Sequence, residues 1–145
     1  MELTRFTDYA LRTLIFAGVE RDRLLTVPEV ASAFRISEHH LVKVIHHLGQ
    51  KGWLETRRGR GGGFRLSGDP AEIRIGAVVR ETEPLALVEC LHESGGDCPI
   101  DRACVLKRAL REAREAFLDH LDEYTLADLL QPRDALGRIL LSPSA

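Results

Sequence analysis

Three cysteines, at positions 90, 98 and 104, are the residues of this chain best suited to chemistry. They lie within 15 residues and follow the spacing Cys-x7-Cys-x5-Cys. In a reducing cytosol, clustered cysteines favour metal or redox chemistry over disulfides. The wide spacing differs from the CxxC pairs of structural zinc sites and suits a cluster held in a loop. Spacing alone leaves three interpretations open: an iron–sulfur site, a zinc site and redox-active thiols.

A set of three protein thiolates is incomplete for a cluster, because one iron then needs another ligand or stays open. An open iron is the position where a small molecule such as nitric oxide would react. The segment that carries the cysteines also contains side chains able to supply a fourth ligand, namely Glu89, His92, Glu93, Asp97 and Asp101. Polar side chains in loops are usually solvated and bind no metal.

Two short helices joined by a tight turn are predicted before the cysteine segment. The first runs from Thr26 to about Phe34, and Thr26 with Glu29 three residues later forms a capping box. The second runs from Ser37 to about Gln50, with an apolar stripe that faces inward. This order is typical of a helix-turn-helix, whose second helix fits the major groove of DNA.

A basic β-hairpin is predicted directly after this helix pair. Residues 53–57 and 64–66 alternate like strands, and the glycine-rich tip 59–63 lies between them. Trp53 and Phe64 are expected in the core at the base of this wing rather than on DNA. Residues 35–66 carry seven Lys and Arg against two Glu, a balance of +5, whereas residues 67–145 carry nine basic and 15 acidic side chains. A net charge of −2 therefore conceals a positive segment that can attract phosphate.

The candidate DNA contacts lie on the second helix and on the wing. From the helix they are Ser37, His39, His40 and Lys43, near its N-terminal half. From the wing they are Arg57, Arg58, Arg60, Gly61 and Gly62, because arginines at a glycine-rich tip can reach phosphates or a narrow minor groove.

The predicted fold is mainly α with a small β-hairpin wing: a winged helix-turn-helix followed by a long C-terminal dimerisation helix. A helix over residues 4–20 precedes the helix-turn-helix, and we call these three helices and the wing together the reader. A short helix covers 73–80, and the long amphipathic helix covers 102–123. We expect a DNA-binding domain at 1–82, a cluster-binding loop at 83–101, a dimerisation region at 102–130 and a loose tail at 131–145. No apolar run approaches the ~20 residues of a membrane span, and the N-terminus lacks signal-peptide features, so a cytoplasmic protein without membrane contact is expected.

Five stretches of the sequence resemble one regulator family. They are LTRFTDYALR at 3–12, GRGGGFRL at 59–66, RIGAVVRETEPLALVEC at 74–90, CPIDRACVLKRAL at 98–110 and YTLADLL at 124–130. Together they resemble the NsrR-type nitric-oxide-sensing repressors of the Rrf-type winged-helix family, whose relatives include the iron–sulfur assembly regulator IscR. The resemblance extends to about Leu141.

The resemblance implies a homodimer that binds palindromic double-stranded promoter DNA and responds to nitric oxide. It implies an iron–sulfur cluster on Cys90, Cys98 and Cys104, with an acidic residue from the partner's first helix as fourth ligand; Asp8 is the matching position. Arg12 follows one turn later and is expected to pair with that carboxylate. Relatives commonly have five residues between the first two cysteines, where this chain has seven. A 4Fe–4S cluster is favoured, and 2Fe–2S stays possible.

Two other functions stay open at the level of the sequence. The first is an IscR-like regulator that senses cluster supply or redox state. The second is a thiol or zinc enzyme, which the sequence disfavours because no histidine–acid pair accompanies a nucleophilic cysteine. We therefore expect a regulator rather than an enzyme.

Overall fold

The fold is a helical assembly with a two-stranded antiparallel hairpin, as seen in a computed structural model that describes residues 2–142. The fold class predicted from the sequence is confirmed. In chain order the elements are α1 Arg5–Val19, α2 Val27–Phe34, α3 Glu38–Gln50, β1 Leu54–Arg57, β2 Gly63–Leu66, α4 Ile75–Thr82, α5 Val105–Asp122, α6 Leu126–Leu129 and α7 Arg133–Leu140.

Local capping sets the boundaries of the helix-turn-helix. The Glu29 carboxylate accepts hydrogen bonds from the Thr26 amide and hydroxyl, both at 2.7 Å, so the predicted capping box starts α2. Arg35 ends α2 in the left-handed conformation, with φ 55°, and this residue turns the chain into α3. A non-glycine residue is uncommon there because its Cβ crowds the following carbonyl.

The wing packs on the reader through its base. β1 and β2 pair antiparallel, and Leu25 bridges to Phe64 with backbone N···O distances of 2.7 and 2.9 Å. Phe64 is 2% exposed, and Trp53 packs against the same core, as predicted for the base of the wing. The base of the wing is therefore fixed to the core.

The long helix α5 contacts the rest of the chain mainly through its C-terminal half. Leu118 is 1% exposed, and a Cβ added to Gly76 of α4 would come within 2.2 Å of the Asp122 carboxylate. In the N-terminal half, Val105 and Leu106 are 67% and 63% exposed. The helix begins at Val105 rather than at 102, because a 3-10 turn at Asp101–Ala103 precedes it and Cys104 occupies the cap.

The C-terminal region returns to the reader. Leu126 and Leu130 lie in the core, where Leu130 contacts Gly18 of α1. The prediction of a loose tail after Gln131 is wrong for the helix α7, whose Leu136 and Leu140 pack against the core. Residues 143–145 of the expected tail lie outside the described residues. Within residues 2–142, no helix combines the length and the apolar character that a bilayer crossing requires.

Candidate nucleic-acid interface and metal centre

The predicted contact residues of α3 lie on its solvent face. Ser37, His39, His40 and Lys43 are all exposed, whereas the stripe Leu41, Val44 and Leu48 is fully buried. Ser37 occupies the N-cap position, but its side chain makes no capping hydrogen bond. Its hydroxyl is therefore not engaged in capping α3.

The tip of the wing has a backbone that requires glycine. Gly59 and Gly61 have φ of 90° and 72°, and the Gly62 amide donates to the Gly59 carbonyl at 2.9 Å. A Cβ at Gly62 would lie 2.2 Å from the Arg57 carbonyl oxygen, so only glycine fits this turn. Arg57, Arg58 and Arg60 are exposed around it.

Ion pairs divide the basic side chains of residues 35–66 into two groups. Lys51 pairs with Glu81, and Arg65 pairs with Glu55 at 2.9 Å, so both charges are partly neutralised within the chain. The ion pairs found in residues 2–142 leave the remaining five without a carboxylate partner: Arg35, Lys43, Arg57, Arg58 and Arg60. These five charges surround α3 and the wing tip, which is a suitable arrangement for binding phosphate.

The three cysteines are free thiols on the segment between α4 and α5. Cys90 lies in a 3-10 turn, Glu89–Leu91, and the carbonyl of Cys98 accepts from the Asp101 amide at 3.0 Å. Cys104 caps α5, and its Sγ accepts from the Lys107 amide at 3.4 Å. Each thiol is thus placed by its own local turn.

The seven residues between Cys90 and Cys98 include a glycine turn. Gly95 has φ 69°, and its amide donates to the His92 carbonyl at 2.9 Å. The chain then folds back, so that a Cβ at Gly96 would lie 3.2 Å from the Cys90 backbone nitrogen. The loop therefore returns toward Cys90 instead of extending away from it.

The donor type of the three cysteines suits an iron–sulfur cluster, and it suits zinc as well, because thiolates bind both. In the part of the chain that the structure describes, no three His, Cys, Asp or Glu side chains are gathered closely enough to hold a metal ion. The structure thus places the three predicted ligands on one segment without bringing their sulfur atoms together.

Asp8 and Arg12 form the pair expected from the sequence. Arg12 Nε donates to Asp8 Oδ1, and Arg12 Nη2 lies against Oδ2, both at 2.9 Å. Their side chains are 41% and 42% exposed, so this two-pronged pair stands on the surface of α1, where another chain can reach it.

Sequence reasoning missed the contacts that connect the cysteine segment to the reader. Glu83 ends α4, and one of its carboxylate oxygens accepts from the Thr4 amide, the Thr4 hydroxyl and the Thr7 hydroxyl, at 2.9, 2.9 and 2.5 Å. We call this group the Glu83 contact. Two residues earlier, the Glu81 carbonyl lies 3.0 Å from His47 Nε2 of α3. No local signal in the sequence announces these partners, which are 34 to 79 residues apart.

A helix-turn-helix and a basic glycine-tipped wing, followed by a segment with three cysteines, are the features of a winged-helix DNA-binding regulator. The chain belongs to the Rrf2 family, described as an iron-dependent transcriptional regulator, whose family model matches residues 3–132. It is 53% identical over 142 residues to the transcriptional regulator NsrR of Geobacillus kaustophilus and 47% identical to NsrR of Bacillus subtilis, with 97% of each chain covered. The protein is a DNA-binding transcriptional regulator of the NsrR type.

A solved structure agrees on the fold. The IscR of T. potens superposes with a TM-score of 0.70 over 93% of this chain and 88% of that one, at 23% identity. The winged-helix architecture predicted from the sequence is therefore shared with an experimentally solved regulator.

Proposed function

We propose that the protein is a promoter-binding repressor whose three cysteines hold an iron–sulfur cluster, and that it releases DNA when nitric oxide reacts with that cluster. The proposal rests mainly on one observation: the free thiols of Cys90, Cys98 and Cys104 all lie on one segment, which is joined to α4 at one end and to α5 at the other. Similarity to regulators named NsrR supports the same class of sensor. A regulator of promoters acts at the chromosome, so we place it in the cytoplasm, and we assign it no enzymatic activity.

The proposal includes a homodimer formed along α5. The N-terminal half of this helix exposes Val105, Leu106, Ala109 and Ala113, and Ile100 just before it is 64% exposed. An apolar strip of this kind on a charged helix is typical of an interface. A second copy of the chain is the occupant that also delivers a first helix to the cysteine segment.

The ligands proposed for the cluster are the three cysteines and the partner subunit's Asp8. When bound, the cluster supplies iron atoms with which nitric oxide reacts. Arg12 holds the Asp8 carboxylate through both of its oxygens, which fixes the direction of that carboxylate on the surface of α1. Asp8 lies on α1, which packs beside the groove helix α3 of its own subunit. A bond from this carboxylate to the cluster of the other subunit would therefore link cluster binding to the positions of the DNA-binding helices. A 4Fe–4S cluster is favoured, with 2Fe–2S as the alternative.

The route from the cysteine segment to DNA runs through the end of α4. Glu83 contacts the first turn of α1, and the Glu81 carbonyl contacts His47 of α3. When the cysteines lose their ligand, the segment that begins at Glu83 is free to change its conformation. A shift there would move α1 and α3 relative to the wing, and DNA affinity would fall.

The test is a promoter-binding measurement on protein purified without oxygen from iron-replete cells. The duplex is one recovered by the protein from a random pool. We expect a brown protein that binds this duplex and releases it on addition of nitric oxide. Cys98→Ser should be colourless and insensitive to nitric oxide, whereas Ser94→Ala, in the same loop, should behave as wild type.

Colourless or zinc-loaded wild-type protein that binds DNA tightly and ignores nitric oxide would refute the proposal. Metal analysis of the same sample separates the zinc interpretation from that of redox thiols. Sensitivity to nitric oxide that persists in Cys98→Ser would place the sensor elsewhere in the molecule.

A further inference from the structure

A small notch on the reader surface extends beyond the DNA-contact residues described so far. It lies between α1 and α3, has a volume of about 240 Å³, and is lined by Arg5, Phe6, Tyr9, His40, Lys43 and Val44. Ordinary small-molecule pockets measure about 300–1,000 Å³ and are more enclosed, so this notch suits part of a polymer rather than a free ligand.

The notch combines an apolar floor with a basic rim. Phe6 and Tyr9 are partly buried against the core, and Val44 is fully buried beneath them. Arg5 and Lys43 are exposed, and neither joins an ion pair among residues 2–142. A sugar–phosphate backbone has the complementary character, because its deoxyribose is apolar on one side and its phosphate is an anion.

The position of the notch relates it to the proposed DNA interface. Two of its lining residues, His40 and Lys43, are contact residues assigned to α3, and the Tyr9 ring centroid lies 6.3 Å from that of His40. When α3 enters the major groove, the first turns of α1 therefore lie beside the same groove edge. Helix α1 is held at this position by the Glu83 contact at its N-terminus.

We propose that Arg5 and Tyr9 form a phosphate-binding site at the edge of the reader, taking one backbone phosphate of the strand that borders the α3 groove. The Arg5 guanidinium supplies the charge-assisted contact, and the Tyr9 ring supports the sugar. The proposal rests on the assignment of α3 as the groove helix. It extends the interface from α3 and the wing to a third element, which carries Asp8 at the adjacent position.

The experiment measures binding to two fluorescent duplexes of about 30 base pairs, long enough for two half-sites one helical turn apart. One duplex is recovered by selection from a random pool, and the other has an arbitrary sequence. Arg5→Gln should weaken binding to both about tenfold and reduce the slope of log affinity against log salt by about 1. Arg5→Lys should restore the slope. Arg138→Gln, an exposed arginine on α7 that makes the same change in charge, should leave the slope unchanged.

Arg60→Gln on the wing separates failure of this inference from failure of the reader assignment. If Arg60→Gln reduces the salt slope and Arg5→Gln does not, α1 does not touch DNA and the inference is wrong. If neither variant changes the slope, the proposed interface as a whole is wrong. If Arg5→Gln instead changes the dimer mass or the cofactor content at an unaltered slope, Arg5 faces the partner subunit, and the inference is equally overturned.

Discussion

Replacing Glu83 by alanine tests how strongly the cysteine segment is joined to the reader. The substitution removes a carboxylate oxygen that accepts three hydrogen bonds from Thr4 and Thr7, across 76 to 79 residues of sequence. A hydrogen bond to a charged group contributes about 1.5–3 kcal/mol. The three bonds share one oxygen, and the Thr7 hydroxyl can turn to Thr4 Oγ1 at 3.2 Å, so their contributions do not add.

We therefore expect Glu83→Ala to lower the free energy of unfolding by about 2–3 kcal/mol. Glu83→Gln should cost roughly 1 kcal/mol, because its carbonyl oxygen still accepts but carries no charge. With a typical urea m-value, the alanine variant would shift the unfolding midpoint down by roughly 1–2 M. Metal-free protein at one fixed protomer concentration is required, since dimerisation makes apparent stability depend on concentration.

The matched control is Glu81→Ala, two residues earlier on α4. Glu81 pairs with Lys51, but both side chains are about 40% exposed, so its loss should cost at most ~1 kcal/mol. Amide exchange provides a local measurement, because the first turn of α1 should exchange faster in Glu83→Ala only. Equal midpoints for the two alanine variants, with unchanged exchange in α1, would refute the role of the Glu83 contact.

Three further changes have defined outcomes. Gly76→Ala puts a Cβ within 2.2 Å of a carboxylate oxygen of α5 and should lower unfolding stability by about 1–3 kcal/mol in urea titrations. Leu106→Glu places charge on the exposed strip of α5 and should convert the dimer to monomer in sedimentation velocity. Burial raises the pKa of Glu29, but hydrogen bonds from Thr26 and Arg23 outweigh it, so the pKa lies below its ordinary 4.5. The unfolded chain then binds the proton more readily, and this stabilisation is present above pH 4.5 and lost as the pH falls through the lowered pKa; Glu29→Gln should flatten that part of the acid unfolding curve.

Patterns confined to one element were sufficient to predict most of the fold. The capping box of Thr26 and Glu29 placed the start of α2, and the alternation around Trp53 and Phe64 placed the wing and its buried base. Both signals involve residues that are close together in the sequence, so they can be recognised without knowledge of the tertiary structure. The helix α7 was missed because eight residues are too few to form a stable helix alone, and its apolar residues gain their stability by packing against the core, with contacts to α1.

The candidate site was predictable in its residue types but not in its connections. The cysteines are visible as a residue type at a fixed spacing, whereas Asp8 and Arg12 were expected only from the resemblance to the regulator family. The Glu83 contact depends on where α4 ends relative to α1, which is a result of tertiary packing. For the same reason, no pattern in the sequence indicates a role for Arg5, which depends on the position of α1 beside α3.

Native mass spectrometry of the dimer, prepared without oxygen, tests the central claim most directly. The account predicts a dimer whose mass exceeds that of two chains by one cluster per chain: four iron and four sulfide ions, or two of each for the alternative. Single Cys90→Ala, Cys98→Ala and Cys104→Ala variants should lose that mass, and Asp8→Ala should weaken its retention. A wild-type dimer that carries zinc or no metal after iron-replete expression, or a cluster that survives all three cysteine substitutions, would contradict it.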